Sequence, residues 1–490
     1  MLFNSFEFGV FLPIVFIIYW FVLCKNLRTQ NIFLLFASYF FYGSWNWRFL
    51  ILLVLFSAFN YLIGIRIDRS DVGQKKKAWL LTGLIINISV LALFKYYDFF
   101  IDSFIHLFSD FGYNLPKAST KIILPLGISF YVFLSTSYII DIYNKKLVAY
   151  RNIVDVLLAL SFFPIILAGP IQRPLTLLPQ ITNKRVFNYE KIVDGLRQIL
   201  WGLFVKVVIA DRLAIFVDDI FQNYTSYTGS TLLIGAVFYT VQIYADFSGY
   251  SNMAIGIAKL LGFSLMQNFA YPYFARDISE FWKRWHISLT TWFRDYVFLP
   301  VSLALSWRIK GEKVFFFKTD ILIYIVSSTI TWFLTGLWHG TSFTYIVWGM
   351  IHGFFLIIYH LQKKPRKRLF KKMGIDNDNI LIIATETVLT LIIVVFAWIF
   401  FRAENINHAT NYINGIFSLS LFSLPQILPK RFILLMVLYL FTEWFQRNKE
   451  HALHLEKIYF RPVRWGIYYG ILYLILLFIG GKQDFIYFQF

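Results

Sequence analysis

The sequence predicts an all-α, polytopic membrane protein, and three observations carry that prediction. Apolar residues make up 58% of the 490 positions, with 56 phenylalanines, and charged residues only 15%; a soluble domain carries about 25% charged residues. Apolar runs recur along the chain, and a helix needs roughly 17–25 such residues to cross a bilayer. Basic residues gather in short segments between those runs, the pattern of cytoplasmic loops. About 11 transmembrane or partly inserted helices are expected, around a central polar tunnel and in one domain over residues 1–490. The formal charge of +19 fits loops facing anionic membrane lipids. With no basic soluble domain to present it, nucleic acid is not an expected partner. The single cysteine, Cys24, excludes an intramolecular disulfide, a cysteine metal site and a CxxC redox pair.

Taken in order, residues 8–24 form the first span, read as retained because no basic segment or small-residue cleavage site accompanies it. Runs 32–42 and 49–65 follow, joined by a turn carrying Trp45 and Trp47. Lys25 and Arg28 follow the first span; Arg66, Arg69 and Lys75–Lys77 follow the third. Three spans place both clusters on one side, so the positive-inside rule sets them in the cytoplasm and the N-terminus outside. Residues 79–94 form another span, and 99–111, interrupted by Asp102, His106 and Asp110, are expected at an interface. Spans at 122–143 and 153–168 lead to the helix breaker Gly169-Pro170. Residues 175–190 read as a polar loop, and 190–221 as amphipathic helices. Run 232–263 is apolar but broken by Asp246 and Gly249. Residues 273–299 are charged and tryptophan-rich. Runs 321–334 and 343–358 flank Trp338-His339-Gly340, a basic block occupies 363–372, and 380–401, 432–445 and 465–480 complete the spans.

The sequence lacks a G-x-S-x-G elbow, a Walker loop, an H-E-x-x-H pair and a dinucleotide glycine fingerprint. With no activated serine or plausible cysteine nucleophile, covalent catalysis through the usual residues is not expected, and general-base chemistry by histidine stays open. His360, His408, His451 and His454 adjoin basic or polar loops and are expected to be solvated. His106 lies on an amphipathic segment, and His352 shares a face with His339 only loosely. His286 and His339 are the informative pair, since ionisable groups in an apolar body mark function or helix packing. Arg276, Glu280 and Arg284 stand at i, i+4 and i+8 and are expected to pair along one helix face; Trp282, Trp285, Leu289 and Trp292 suit an interfacial belt. Asp246, near Gln242, Ser248 and Asn252, is either a structural contact between helices or part of a polar tunnel. No His, Asp or Glu set has the spacing of a metal site.

Arg276-Asp277-Ile278-Ser279-Glu280-Phe281-Trp282-Lys283-Arg284-Trp285-His286-Ile287-Ser288-Leu289, continued by Trp292-Phe293-Arg294-Asp295-Tyr296, resembles the signature of membrane-bound O-acyltransferases. Gly336-Leu337-Trp338-His339-Gly340, with Trp348-Gly349 and His352-Gly353, resembles that family's second signature. Asp246-Phe247-Ser248-Gly249-Tyr250, Asn268-Phe269 and Trp398-Ile399-Phe400-Phe401-Arg402 extend the likeness over nearly the whole chain, toward the branch that O-acetylates alginate. One departure follows Leu299-Pro300, where Val301-Ser302-Leu303 replaces a glycine-rich basic turn; it bears on the acceptor more than on the chemistry.

The resemblance implies that His339 is the catalytic histidine and His286 its supporting one. It places His339 inside the membrane in a broken or re-entrant segment. Asp246, Asn268, Lys283, Arg284, Trp285 and Trp338 are implied as tunnel-lining or supporting residues. The implied reaction moves acetyl groups from cytoplasmic acetyl-CoA toward an exported polysaccharide. His339 would be general base, and Lys283, His286 or a helix-end N–H would polarise the carbonyl. No cofactor is expected to bind tightly. A periplasmic acetyltransferase partner and a place in the inner membrane are implied too. Peptidoglycan O-acetylation and teichoic-acid D-alanylation are alternatives within the family. A transporter with a proton relay through Asp246 and His339 is the alternative outside it.

Overall fold

The computed structural model describes the chain except residues 72, 112, 114–122, 315, 456–457, 481–484 and 487–490, and except the side chains of 98, 102, 103, 106 and 110. The predicted position of the His106 side chain therefore lies outside the described residues. Helices dominate, and the strands among the described residues are one short antiparallel pair, β1 (Lys313–Val314) with β2 (Phe317–Lys318). Among the described residues, six helices are long and apolar enough to cross a membrane: Trp47–Arg69, Gln74–Tyr97, Gly229–Leu260, Thr319–His339, Phe343–Lys372 and Ile380–Arg402. Shorter apolar helices occupy Phe6–Val22, Ile128–Tyr143 and Ile153–Ile166. The all-α, multi-pass reading holds. The chain divides into two compact units, Met1–Leu200 with Tyr250–Met266, and Trp201–Gly249 with Gln267–Phe490.

In the first unit, α1 (Phe6–Ile17) starts where Ser5 Oγ accepts from Phe8 N–H, and it continues as a π turn, Ile18–Val22. α2 (Leu27–Gly43) and α3 (Trp47–Arg69) start at Asn26 and Asn46, whose side-chain oxygens accept first-turn N–H groups. α4 (Gln74–Asp110) is one helix of 37 residues. The separate interfacial segment expected at 99–111 is thus its last three turns. Only charged and aromatic residues join the two parts, with neither proline nor glycine to stop propagation. α5 (Ile128–Tyr143) is buried along most of its length. Asn60, Asn87 and Thr136 tie α3, α4 and α5 through side-chain hydrogen bonds of 3.0, 3.0 and 3.3 Å. Such contacts hold helices together where the apolar effect cannot discriminate between neighbours.

α6 (Ile153–Ser161), α7 (Phe163–Ile166) and α8 (Pro174–Thr182) follow. α8 occupies half of the predicted loop, because Pro174 at its first position fixes a helical φ and gives up an N–H that needs no partner there. α9 (Tyr189–Phe204) carries the chain across the unit boundary.

The second unit opens with a π segment, Val205–Ala210, and α10 (Asp211–Gln222). α11 (Gly229–Leu260) is unbroken, unlike the interrupted run the sequence predicted, because Asp246 finds polar partners without distorting the backbone. α12 (Ile278–Arg284), α13 (Ile287–Phe293), a π turn Arg294–Phe298 and α14 (Leu299–Arg308) resolve the tryptophan-rich stretch into short pieces. Then come α15 (Thr319–His339), α16 (Phe343–Lys372), α17 (Ile380–Arg402), α18 (Ile406–Ile416), α19 (Lys430–Phe445) and α20 (Arg461–Phe478).

Candidate active site

α15 and α16 form a helical hairpin, and His339 is the last residue of its first arm. Two glycines let the arms touch: a Cβ on Gly349 would lie 2.4 Å from Trp332 O, and one on Gly336 would lie 2.5 Å from Tyr345 O. Small residues at such crossings allow close backbone approach. His339 is 2% exposed. Its ring meets Trp338, Trp348 and Phe401 at centroid distances of 4.6, 4.9 and 4.9 Å. Apolar runs were expected on both sides of Trp338-His339-Gly340, and His339 ends the first of the two helices they form. The helical path breaks directly after His339, at residues 340–342 between α15 and α16.

His286 lies between α12 and α13 with φ 40° and ψ 55°, the left-handed region. A side chain pays a steric penalty there, and such backbone persists only where the surroundings hold it. Here the surroundings are the segment around Asn268. Ile287 N donates to Asn268 O at 2.9 Å, and Ala270 N donates to Arg284 O at 2.9 Å. Asn268 Oδ1 lies 2.8 Å from His286 Nδ1 and accepts from Ser288 Oγ at 3.0 Å. With the amide oxygen on that side, His286 Nδ1 carries the proton and Nε2 the lone pair. Burial pushes the His286 imidazole down to about 3, so the ring is neutral near pH 7. Trp338 lies beside both histidines, 6.4 Å from the His286 ring and 4.6 Å from that of His339.

The remaining predicted residues separate into different environments. Trp285 is 1% exposed and packs on Phe269, Phe281 and Trp398. Trp282, Leu289 and Trp292 are buried as well. The expected interfacial belt is therefore core, because α12 and α13 are packed inside the unit. Lys283 is exposed, and Arg284 pairs with Glu280 at 2.5 Å. Arg276 precedes α12 and turns away: its guanidinium reaches Glu386 and Asp378, and only its backbone N–H meets Glu280. Asp246 belongs to a buried ionic cluster, with Lys206 Nζ 2.5 Å from Asp246 and 2.8 Å from Asp211. Ile486 N donates to the other Asp246 oxygen at 2.7 Å. Lys206 and Asp211 are five residues apart, the spacing a π segment brings onto one face.

Three features escaped the sequence. His352 is fully buried, receives a hydrogen bond from Trp282 Nε1 at 3.3 Å, and packs 5.0 Å from Trp348, the ring that also meets His339. Glu443 on α19 is buried and accepts from Tyr244 Oη at 3.1 Å; the signal was a lone carboxylate in an apolar run. His408 and His451, expected to be solvated, are 9% and 2% exposed. His408 stacks on Tyr224 at 4.6 Å, a contact that composition of the neighbouring loop does not reveal.

A helical body with a buried histidine closing a Trp-His-Gly hairpin, and a second buried histidine fixed by an asparagine, defines a class. The profile of the membrane-bound O-acyltransferase family matches residues 144–403, and the chain belongs to that family. It is 38% identical over 425 residues to the probable alginate O-acetylase AlgI of Pseudomonas aeruginosa, covering 86% of this chain and 76% of that protein. The corresponding protein of Azotobacter vinelandii is 38% identical, with 86% and 79% covered. The peptidoglycan O-acetyltransferase of Helicobacter pylori is 33% identical over 458 residues, with 87% and 82% covered. The chain is a multi-pass membrane acyltransferase of the O-acetyltransferase type.

Proposed function

We propose that the chain works as a single functional domain over residues 1–490 that transfers acetyl groups from cytoplasmic acetyl-CoA toward an exported cell-surface polysaccharide. The observation that carries the mechanism is His339, buried at the carbonyl end of α15 within an aromatic shell. A helix C-terminus favours positive charge, so it stabilises the imidazolium that forms when His339 takes the proton of an attacking hydroxyl. The hydroxyl oxygen bonds to the acetyl carbon, the C–S bond of the thioester breaks, and the proton passes from His339 to the departing thiolate. The aromatic shell keeps water from competing as nucleophile.

His286 serves as a positioning residue. With Nδ1–H engaged by Asn268, its Nε2 accepts a hydrogen bond, so it orients a hydroxyl and does not polarise the carbonyl. That task falls to Lys283, whose side chain is exposed, or to a helix-end N–H. Asn268 and Trp338 hold the two histidines, and Trp285 fills the core behind them. Asp246 and Arg284 act on stability through Lys206 and Glu280.

The names of the relatives support a polysaccharide acceptor of the alginate kind, with peptidoglycan as the second reading, favoured by the Helicobacter pylori relative. The basic loops support a place in the inner membrane with the N-terminus outside, and an acceptor outside the cell calls for a periplasmic acetyltransferase partner to complete transfer. The test is the acetate that mild base releases from purified surface glycans of a deletion strain and its complemented parent. The glycan fraction that loses ester in the deletion strain identifies the acceptor. Unchanged ester in every fraction overturns the reading and brings a transporter forward.

A further inference from the structure

A cavity of about 350 Å³ opens in the first unit beside the end of the first helix, the α8–α9 connection and the last turn of α11. Four cations line it, Lys184, Arg185, Lys191 and Lys259, and no carboxylate is among its described lining residues. Nothing in the acyl-transfer chemistry uses these residues.

Arg185 is the fixed cation. It is 7% exposed, and its Nη1 donates to Ile181 O at 3.0 Å while Nη2 donates to Asn31 Oδ1 at 2.6 Å. Asn31 is itself anchored, donating to Asp155 at 2.8 Å, and the guanidinium stacks over Phe263 at 5.0 Å and Tyr19 at 5.7 Å. Lys259 is held by Asp194 at 2.7 Å. Lys184 and Lys191 line the cavity and are exposed, each an ammonium on a long four-carbon stem that can turn toward an anion. A rigid arginine with two adjustable lysines suits a phosphate group.

The surroundings choose the source of that phosphate. Phe187 packs on Trp20 at 5.5 Å and Phe21 at 6.1 Å. Val186, Phe187 and Phe21 are exposed by 75%, 45% and 66%. An apolar face beside a basic cavity, next to the end of a span followed by Lys25 and Arg28, is where a lipid headgroup meets its acyl chains. We infer that this cavity seats the phosphate of an anionic phospholipid, with the acyl chains lying along Phe21, Val186 and Phe187.

The test measures lipid retention by native mass spectrometry on the full chain purified in detergent, with phosphatidylglycerol, phosphatidylcholine and inorganic phosphate as probes. Lys184→Gln/Lys191→Gln is expected to weaken phosphatidylglycerol binding about tenfold or more. Lys75→Gln/Lys77→Gln, at exposed lysines elsewhere on the same unit, is expected to leave it unchanged. Equal weakening in both pairs means diffuse surface charge and overturns the site. Phosphatidylcholine bound as tightly overturns it as well. Inorganic phosphate that displaces the lipid at comparable concentration assigns the cavity to a soluble phosphate compound and overturns the lipid assignment.

Discussion

Lys206→Met removes the ammonium that two buried carboxylates share. Lys206, Asp211 and Asp246 have side chains exposed by only 5%, 7% and 3%, with ion-pair distances of 2.8 and 2.5 Å. Removing one partner of a buried pair leaves charge without compensation and costs about 3–5 kcal/mol. At roughly 2 cal/mol/K per residue of unfolding entropy, a chain of 490 residues loses about 1 °C of midpoint per kcal/mol. The thermal midpoint is therefore expected to fall about 3–5 °C. Adding Asp246→Asn should restore most of it. The asparagine keeps an oxygen for Ile486 N–H, and the carboxyl left behind, Asp211, is pushed up to about 6 by burial and takes a proton readily. The double variant should then be more stable than the sum of the single effects by at least about 1 kcal/mol. The assay is tryptophan fluorescence on heating, in one detergent at one pH, with wild type, both single variants and the double. A Lys206→Met midpoint within 1 °C of wild type, or strictly additive effects, would show that the cluster is not a coupled buried unit.

Other consequences concern the histidines and the hairpin. Asn268→Ala strips the acceptor from His286 Nδ1–H and Ser288 Oγ–H. It should cost about 2–4 kcal/mol of stability and slow transfer about a hundredfold through misplacement of His286, read by midpoint and by glycan ester formation. His286 bears on pH: its folded value of about 3 lies below the ordinary 6.5, so the folded state resists protonation. Its contribution to stability is complete above about 6.5 and is lost as pH falls toward 3. Midpoints measured between pH 4 and 7 should slope downward toward acid in wild type and flatten in His286→Gln. Gly349→Val drives a side chain into Trp332 O, 2.4 Å from the first added carbon. It should lower the midpoint by about 1–3 °C or prevent accumulation, with a cost of about 1–3 kcal/mol, whereas the same change at the exposed Gly470, which has open space around it, should do neither.

Hydropathy located the long apolar helices, and it set His339 between two of them, because length and apolar content are properties of a segment by itself. What it misjudged depends on partners. α11 runs unbroken through Asp246 because Lys206, forty residues earlier, supplies the counter-charge; a one-dimensional reading sees only the isolated carboxylate. Trp282, Trp285 and Trp292 have interfacial chemistry but lie in the core, since the short helices that carry them turn their aromatic faces inward and leave Lys283 on the outer face. The roles of His286 and Asn268 were suggested by motif likeness, whereas their hydrogen bond comes from backbone pairing between separate segments. α8 was hidden because prolines and polar residues also make loops, and Pro174 happens to occupy the one helical position that welcomes it. Glu443 and His352 were legible only as ionisable residues in apolar runs, without an indication of the tyrosine and tryptophan that receive them.

The central claim is that His339 removes the proton of the accepting hydroxyl. It is tested most directly by base-releasable acetate on surface glycans of a deletion strain carrying wild type, His339→Ala or His339→Gln at matched membrane levels and matched thermal midpoints. The account predicts ester at or near the deletion-strain level for both variants, a loss of at least about a hundredfold in transfer rate. Ester within twofold of wild type in His339→Ala, with the protein folded and present, would contradict it.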